Sequence, residues 1–403
     1  MDTLTVIVFG VVYLGMILGG IPGLNLDRAG IALLGTIVLL AGGRLTLADA
    51  AAIVDLPTIA LLLGLMVVSA QFRLGGFYSR ITTRLADARV SPAVLLGLLV
   101  FVAGALSSLL SNDIVCLAMA PVLIEGCARR RLNPVPFLLG LACAANVGSA
   151  ATLIGNPQNM LIGQTLHLSF AGYLLDGGLP AFLGLFAVWG VIVLLSRGRW
   201  ESQTALVESH IPVYSSWQTG KGLIVLAGIV ILFLTSSWQR EIIALAGAGV
   251  LLTSRRMSSR EMLGLVDWQL LILFCGLFVI NAQMRATGLP GEAVAISSAA
   301  GIQLEHPVWL FGLTAVLSNV VSNVPAVMLL LPYCTHPKSG AVVALASTLA
   351  GNLLIVGSIA NIIVVDQAAR MGVRIDWKTH ARVGVPVTLA TMLIAAIWLV
   401  LAS

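Results

Sequence analysis

The chain has 403 residues, of which 59% are hydrophobic and only 10% are charged, and its mean hydropathy is +1.02. This composition excludes a soluble domain built around one core, whereas a lipid bilayer can solvate so apolar a chain. The net charge of +5 and the pI near 9.2 are typical of basic loops in a membrane protein. No basic patch with interleaved aromatic residues stands apart from the apolar segments, so we expect no nucleic-acid partner. Five cysteines without CxxC spacing predict no metal site.

Apolar runs of membrane-spanning length follow one another along the chain, which predicts an all-α polytopic membrane protein in the lipid bilayer. In the first half, we expect continuous spans at 4–22, 29–43, 57–74 and 179–196. The second half repeats the order, with continuous spans at 221–236, 241–254, 268–285 and 383–401. The polar segment 197–219 between them predicts a cytoplasmic linker, with Arg197, Arg199, Glu201, Glu208 and His210.

Two further segments in each half are apolar but interrupted by polar, helix-breaking residues. We predict a re-entrant hairpin at 92–127, whose half-spans 92–110 and 112–127 meet at Ser111-Asn112, and an interrupted helix at 135–166. The second half carries the corresponding hairpin at 307–334 and the interrupted helix at 341–366. The alternative for 92–127 is two full spans joined by a tight turn at the far surface. We favour the hairpin because both halves contain it, and because broken segments of this kind mark the substrate sites of secondary transporters.

The two halves are copies of one another. Sliding the chain by 212 residues aligns 28–77 with 240–289 without a gap, and about 19 of these 50 positions are identical. Polar and glycine identities carry the match, among them Arg28, Asp55, Gly64 and Gln71. We therefore expect a first repeat at 1–196 and a second at 220–403, each with five transmembrane helices, one of them interrupted, plus one hairpin.

Loop charge predicts the orientation of these spans. With Arg255, Arg256 and Arg260 in the cytoplasm, the other arginine-rich loops fall on the same side, as positive residues do in membrane proteins. Five spans in each repeat make the second repeat inverted relative to the first. We therefore expect both termini outside a cytoplasmic (inner) membrane, and hairpins entering from opposite sides. The first residues lack a basic segment, so we expect no cleaved signal peptide.

The interruptions predict a binding site for an anion and a coupling cation. Exposed N–H groups at helix N-termini attract anions and C-terminal carbonyls attract cations, while asparagine and serine supply both donors and acceptors. No lysine or arginine lies within the four motifs, so helix dipoles and a co-bound cation must meet the charge of an anion. The candidate residues are Ser111, Asn112, Asp113, Asn146, Thr152, Gly155, Asn156, Pro157, Asn159, Ser322, Asn323, Pro325, Asn352, Gly357, Ser358 and Asn361.

Asp113 is the candidate coupling residue. It is an ionisable group within an apolar segment, and such groups mark ion or proton pathways. Its counterpart in the second repeat is the neutral Val324, so the two hairpin tips differ. Asp113 either exchanges a proton or binds a hard cation such as Na⁺, and a structural hydrogen bond to a backbone N–H is the alternative. Asp55 and Asp267 begin matching spans and are expected to cap helix N-termini. The five histidines lie near loops and form no ligand cluster.

The motifs resemble the ion transporter superfamily over nearly the whole chain. This group includes divalent-anion:sodium symporters, citrate–metal permeases and arsenite-efflux permeases, and the chain most resembles bacterial anion-permease-like inner-membrane proteins of unassigned substrate. In the dicarboxylate symporters, Ser-Asn-Thr motifs at the hairpin tips contact the substrate and flank sodium sites; the matching residues are Ser111-Asn112 and Ser322-Asn323. The third position differs, and Asn112-Asp113 resembles arsenite and citrate–metal permeases instead. The resemblance implies a dimer of scaffold domains with a moving transport domain.

These observations predict a secondary active transporter that moves a small anion or oxyanion by alternating access, coupled to Na⁺ or H⁺. The substrate is an inorganic or carboxylate anion or a metalloid, and Na⁺ is the one bound ion we consider as a cofactor. One alternative is arsenite or antimonite efflux driven by proton exchange through Asp113. Others are a sodium/proton antiporter and, in a different class, an ion channel with a static pore. An enzyme is not expected, because no nucleophile–base pair, metal cluster or phosphate loop is present.

Overall fold

A computed structural model describes residues 3–21, 23–201 and 213–402. In the first half these residues form α1 (Thr3–Leu18), α2 (Arg28–Ala41), α3 (Leu47–Ile53), α4 (Leu56–Leu74), α5 (Phe77–Ala86), α6 (Pro92–Leu109), α7 (Asn112–Arg129), α8 (Pro134–Ser149), α9 (Pro157–Thr165) and α10 (Phe170–Leu195). In the second half they form α11 (Ser216–Thr235), α12 (Arg240–Leu252), α13 (Ser259–Gly264), α14 (Trp268–Ala286), α15 (Leu289–Ala299), α16 (Pro307–Val321), α17 (Asn323–Leu330), α18 (Ser339–Ala350), α19 (Ile359–Arg370) and α20 (Trp377–Leu401). The helices follow one another in the same order in both halves, although α17 has 8 residues where α7 has 18.

The protein is all-helical and six of its described helices, α4, α6, α10, α11, α14 and α20, are long and apolar enough to cross a membrane. Isoleucine, leucine and valine side chains remain exposed along α1, α2, α10, α11 and α20. Exposed apolar side chains in rows of this length are suited to lipid contact rather than to water. The chain is a multi-pass membrane protein.

Several predicted boundaries are wrong. The span predicted at 179–196 begins nine residues earlier as α10, and the span predicted at 383–401 begins six residues earlier as α20. Both helices continue through an internal proline, Pro180 and Pro386, which membrane helices tolerate. The first span ends at Leu18 rather than at 22, where Gly19 has a φ of 75°. Four short helices, α3, α5, α13 and α15, lie between the predicted spans.

Side-chain caps begin many of the helices. Asp55 and Asp267 accept hydrogen bonds from Thr58 N and Leu270 N, at 3.2 and 2.9 Å, which confirms their predicted roles as N-caps of α4 and α14. Gln71, in contrast, is buried near the end of α4 and donates to the backbone carbonyl and side-chain oxygen of Gln218, each at 2.9 Å. Gln71 therefore links α4 to α11. In the predicted linker, Glu208 and His210 lie outside the described residues, and the last part of the linker begins α11.

The two halves cross each other at two glycines. A Cβ added to Gly64 on α4 would lie 2.7 Å from the backbone of Ala244 on α12, and one added to Gly276 on α14 would lie 2.9 Å from that of Ala32 on α2. Both crossings therefore need a glycine, because the helix backbones are in direct contact. The 212-residue slide exchanges Gly64 with Gly276 and Ala32 with Ala244, so the two crossings are copies of one contact.

Helices α8 and α18 form the centre of the molecule. Every residue of α18 and all but Val135 of α8 are buried, as expected for helices that are apolar on all sides. Helix α8 contacts α6, α7, α10 and α19, and α18 contacts α16, α17 and α20. Both central helices end inside the protein, and the candidate site residues gather around those ends.

Candidate functional site

At the break in the first interrupted helix, one asparagine donates hydrogen bonds to the backbone carbonyl groups. Helix α8 ends at Ser149 and α9 begins at Pro157, so the carbonyl groups between them lack helical partners. Asn159 Nδ2 donates to the carbonyl oxygens of Ser149 and Thr152, at 3.4 and 2.9 Å. The sequence predicts the break at 155–159, but it lies at 150–156, because Pro157 occupies the first helical position of α9, where its missing N–H costs nothing.

The second interrupted helix uses the same contacts. Asn361 Nδ2 donates to the carbonyl oxygens of Gly351 and Leu354, at 2.8 and 3.0 Å. In both breaks the acceptors lie ten and seven residues before the asparagine. A repeated pair of long-range hydrogen bonds, rather than local helix propensity, thus satisfies the backbone at both interruptions.

Each break continues into a capped helix that reaches across to the other half. Asn156 caps α9 by accepting from Asn159 N at 2.9 Å, and its Nδ2 donates to Thr348 Oγ1 on α18 at 3.3 Å. Ser358 caps α19 by accepting from Ala360 N, and its hydroxyl donates to Asn146 Oδ1 on α8 at 2.8 Å. The two caps therefore link each half to the central helix of the other half.

Asn146 joins all of these elements. Its Nδ2 donates to Asn352 Oδ1 at 2.8 Å and to Asn361 Oδ1 at 3.1 Å. Its Oδ1 accepts from Ser358 Oγ at 2.8 Å and from Asn112 Nδ2 at 3.3 Å. One buried amide therefore holds the tip of the α6–α7 pair together with both sides of the second helix break.

The tips of the α6–α7 and α16–α17 pairs contact the breaks directly. The backbone N–H of Asn112 donates to the carbonyl oxygen of Gly155 at 3.4 Å. The Asn323 amide fits its neighbours when its nitrogen donates to the carbonyl oxygens of Gly357 and Ser347, at 3.1 and 3.2 Å, and its oxygen accepts from Gln158 Nε2 at 3.2 Å. Each tip asparagine thus contacts the glycine that precedes the N-cap of a broken helix.

Those two glycines are required by close approach. A Cβ added to Gly155 would lie 2.3 Å from the carbonyl oxygen of Ser149, and one added to Gly357 would lie 2.7 Å from Asn319 Oδ1 and 3.0 Å from the carbonyl oxygen of Gly351. Backbone and polar atoms crowd both positions, so no larger residue fits without moving the break. The glycines of the motifs therefore have a steric role.

A small cavity of about 30 Å³ lies where the tips and breaks meet. It has room for about one or two water molecules or bare ions. Its lining residues are Asn112, Asp113, Pro157, Gln158, Leu270, Ser322, Asn323, Val324, Ser358 and Ile359.

Four helices begin at this cavity. Helices α7, α9, α17 and α19 start at Asn112, Pro157, Asn323 and Ile359, all of which line it. A helix N-terminus carries about half a positive elementary charge together with unpaired N–H groups. Four such ends around one small space create a site suited to negative charge, without a lysine or arginine among the described lining residues.

Asp113 is the one ionisable side chain among the described lining residues. It lies in the first turn of α7 and is half-buried, and no described lysine, arginine or histidine forms an ion pair with it. Beside it, Asn112 Oδ1 is buried and has no hydrogen-bond partner in the described part of the chain. These two side chains leave oxygen atoms available to a ligand.

The cavity brings six of the sixteen candidate residues together, namely Asn112, Asp113, Pro157, Ser322, Asn323 and Ser358. Asn146, Asn156, Asn159, Asn352 and Asn361 lie in the hydrogen-bond network around it, and Gly155 and Gly357 lie at the close approaches. Thr152 donates to the carbonyl oxygen of Ser108 at 2.5 Å. Ser111 is the N-cap position of α7, and Pro325 is buried within α17. Sequence reasoning missed Gln158, Leu270, Val324 and Ile359 as lining residues, although Gln158 lies within a quoted motif.

One of the histidines, His380, is buried. His380 lies near the start of α20, close to a loop as predicted, but its side chain is buried and its Nε2 lies 3.1 Å from the carbonyl oxygen of Asn352. No cluster of three or more histidine, cysteine, aspartate or glutamate residues suited to a metal ion occurs in the described ranges.

Comparison with known proteins gives the family. The citrate transporter model, CitMHS, matches residues 12–343. The chain is similar to the inner membrane protein YbiR of Escherichia coli, with 30% identity over 87% of this chain and 89% of the relative, and to the silicon efflux transporter LSI3 of rice (Oryza sativa), with 27% identity over 95% and 94%. The crystal structure of the Alcanivorax borkumensis YdaH transporter has a similar fold, with a TM-score of 0.60 at 15% identity over 98% of this chain and 95% of that one. The family and the relatives are transporters rather than enzymes, and the chain belongs to the citrate transporter (CitMHS) family.

Proposed function

We propose that the protein is a secondary active transporter for a small oxyanion or its neutral oxyacid, and that Asp113 couples substrate movement to a proton or a sodium ion. The single observation that carries this proposal is the cavity lined by both tips and both helix breaks. Four helix N-termini attract negative charge there, and one carboxylate shares the space.

The carboxylate supplies the coupling. An ionised Asp113 occupies the positive helix ends and repels an incoming anion at short range. Uptake of a proton or binding of Na⁺ at Asp113 removes this repulsion, so that the substrate and the coupling ion are favoured together. Asn112 Oδ1, which is buried and unpartnered in the described part of the chain, is a further oxygen ligand for the cation.

The size of the cavity favours a small substrate. About 30 Å³ accommodates one or two water-sized groups, which is far less than the volume of citrate. An inorganic oxyanion or a metalloid oxyacid needs a smaller expansion of the site than a tricarboxylate does. We therefore propose an inorganic substrate in spite of the family description.

We propose that transport follows alternating access between inverted repeats. Two helix pairs, α6–α7 and α16–α17, whose tips meet at one internal cavity, are consistent with re-entrant hairpins entering from opposite sides. A tight turn at a membrane surface would leave Asn112 far from the other tip. We extend the proposal to repeats at 1–196 and 220–403 joined by a cytoplasmic linker, to an inner-membrane location with both termini outside, and to a homodimer.

A thermal-shift panel tests the substrate and the coupling ion. The purified protein is heated with arsenite, antimonite, silicic acid, phosphate, sulfate, succinate or citrate, each with and without Na⁺ and at two pH values. Binding to the native state raises the apparent melting temperature. A ligand at 100 times its dissociation constant adds about 2.7 kcal/mol to the free energy of unfolding. We expect one inorganic compound to give the largest shift, and we expect Na⁺ or low pH to enlarge it. A shift with citrate or succinate alone contradicts the proposed substrate class.

A second candidate is efflux of a neutral metalloid oxyacid in exchange for protons. The observation that favours it is the similarity to a protein named as a silicon efflux transporter, over nearly the full length of both chains. In this case, Asp113 carries a proton inward while the oxyacid leaves. A shift with silicic acid or arsenite that depends on pH and not on Na⁺ supports this candidate.

A further inference from the structure

Equivalent residues on α10 and α20 contact the backbone carbonyl groups at the two helix breaks. Tyr173 on α10 donates its hydroxyl proton to the carbonyl oxygen of Ala150 at 2.9 Å, and His380 Nε2 lies 3.1 Å from the carbonyl oxygen of Asn352. Each acceptor lies nine residues before the asparagine of its break. Because a carbonyl oxygen can only accept, the imidazole nitrogen that faces it carries the proton.

A glycine one turn later confirms the equivalence of these positions. A Cβ added to Gly177 would lie 2.8 Å from the carbonyl oxygen of Ala150, and one added to Gly384 would lie 2.4 Å from that of Asn352. On both helices, therefore, an aromatic donor and a glycine four residues on close over the carboxyl end of a broken helix. His380 occupies the position of Tyr173, with an ionisable ring in place of a phenol.

Hydrogen bonds connect His380 to the cavity. Asn352, whose carbonyl accepts from the imidazole, also accepts through Oδ1 from Asn146, which in turn accepts from Asn112 at the cavity wall. Three residues thus lie between the imidazole and the space beside Asp113. Two buried atoms along this path, His380 Nδ1 and Asn352 Nδ2, have no hydrogen-bond partner among the described residues.

The charged surroundings of His380 are sparse. Helices α8, α10 and α18 pack against α20. The titratable side chains of α8 and α10 are Cys143, Tyr173 and Asp176, and α18 carries none. On α20 itself and at its N-cap, the charged groups are Asp376, Lys378 and Arg382, and Arg199 lies beside Arg382 along a crevice at this end.

The neighbouring carboxylate does not titrate with histidine. Hydrogen bonds from the side chain and the backbone N–H of Thr379 hold the pKa of Asp376 below its usual range. Asp376 therefore stays ionised at every pH at which histidine changes its charge. The N-cap of α20 is therefore not the source of a pH response of this region near neutrality.

We propose that His380 is a second protonation site of the transporter, and that a second proton on its ring loosens the backbone between α18 and α19. In the neutral ring, Nε2 donates to the carbonyl oxygen of Asn352, and Nδ1 has no hydrogen-bond partner in the described part of the chain. A second proton places a positive charge and a new N–H donor in a buried site without an acceptor, so water must enter beside Asn352. Loosening of Asn352 then reaches Asn146 and the cavity through their hydrogen bond.

This inference rests on the proposed transport cycle, but its test needs no substrate. Hydrogen–deuterium exchange of the segment 351–358 is measured in the purified full-length protein between about pH 5.5 and about pH 8, the range of histidine titration, with correction for intrinsic exchange. We expect a several-fold increase in exchange at low pH in the unmodified protein. The substrate panel can fail while this response persists, and the reverse also holds.

Three variants decide the assignment. His380→Gln removes the ionisable ring, and His380→Tyr restores the residue type of the other half, which keeps the fold testable if glutamine is not tolerated. Both are expected to lose the pH response of 351–358. His336→Gln, which changes an exposed histidine, is expected to keep it. A pH response retained in either His380 variant, or absent from the unmodified protein, overturns the proposal.

Discussion

The two broken helices share their framework and differ in their ionisable groups. Both use an asparagine that donates to carbonyl oxygens ten and seven residues earlier, and both have a glycine under crowded backbone atoms. At the tips, however, Asp113 of the first half stands opposite Val324 of the second. At the carboxyl ends of α8 and α18, Tyr173 of the first half corresponds to His380 of the second. What is shared satisfies the backbone at both breaks, and what differs is the ionisable chemistry of the two halves.

The ends of the central helices differ as well. Beside the N-terminus of α18, Lys338 forms an ion pair with Asp176 at 2.7 Å. Beside the N-terminus of α8, Arg199 and Arg382 line a crevice of about 400 Å³ that contains no acidic residue among its described lining residues. The charges beside the N-terminus of α18 therefore neutralise each other, whereas the crevice beside the N-terminus of α8 is positively charged.

The largest expected effect comes from removing the charge that distinguishes the tips. Asp113→Asn keeps the size and hydrogen-bonding capacity of the side chain, and we expect it to reduce coupled transport to background in proteoliposomes. The substrate is the compound with the largest thermal shift. Asp366→Asn is the matched control, because Asp366 is exposed and pairs with Arg370 on α19. An Asp113→Asn variant with unchanged dependence on pH and Na⁺ removes the coupling role.

The shared framework is broken by Asn159→Ala and Asn361→Ala. Each variant leaves two carbonyl groups without their donor, at a cost of about 1–3 kcal/mol for each buried group. We expect similar decreases in melting temperature from the two variants, and little change from Gln303→Ala at an exposed position. A large decrease from only one of them would show that the breaks are not equivalent.

The equivalence of the helix crossings is tested by Gly64→Ala and Gly276→Ala. An added methyl group meets the partner backbone at 2.7 and 2.9 Å, and overpacking of this kind costs about 1–3 kcal/mol. We expect equal destabilisation in thermal unfolding. Gly228→Ala on α11, where nothing lies within 4 Å, serves as the control. Tolerance of alanine at either crossing would argue against close contact of α2 with α14 or of α4 with α12.

The smallest effect is expected from the ion pair between Lys338 and Asp176. Lys338 and Asp176 are 28% and 23% exposed, and exposed ion pairs contribute about 0–1 kcal/mol. A double-mutant cycle with Lys338→Gln and Asp176→Asn measures this coupling by thermal unfolding. A coupling well above that range would indicate that the pair fixes the position of α18 against α10 rather than neutralising charge.

Sequence patterns were informative where the repeat involves glycine or a polar residue. The all-helical fold, the repeated order of elements and the caps at Asp55 and Asp267 follow from spacing, because helix termini need side-chain acceptors wherever they occur. The early starts of α10 and α20 could not be predicted, since Pro180 reads as a helix boundary although a membrane helix can continue through it. His380 was equally hidden, because its role depends on a carbonyl group supplied by a distant break.

The four side-chain hydrogen bonds of Asn146 also restrict how the molecule can change shape. Three of them, to Asn352, Asn361 and Ser358, join the two halves and contribute about 0.5–1.5 kcal/mol each, so a hinge that parted the halves at this amide would lose about 1.5–4.5 kcal/mol in every turnover. A cycle in which tips, breaks and central helices travel together loses none of it. Asn146 therefore favours displacement of the whole polar cluster as one rigid body past the Gly64 and Gly276 crossings, rather than the opening of a cleft through its middle.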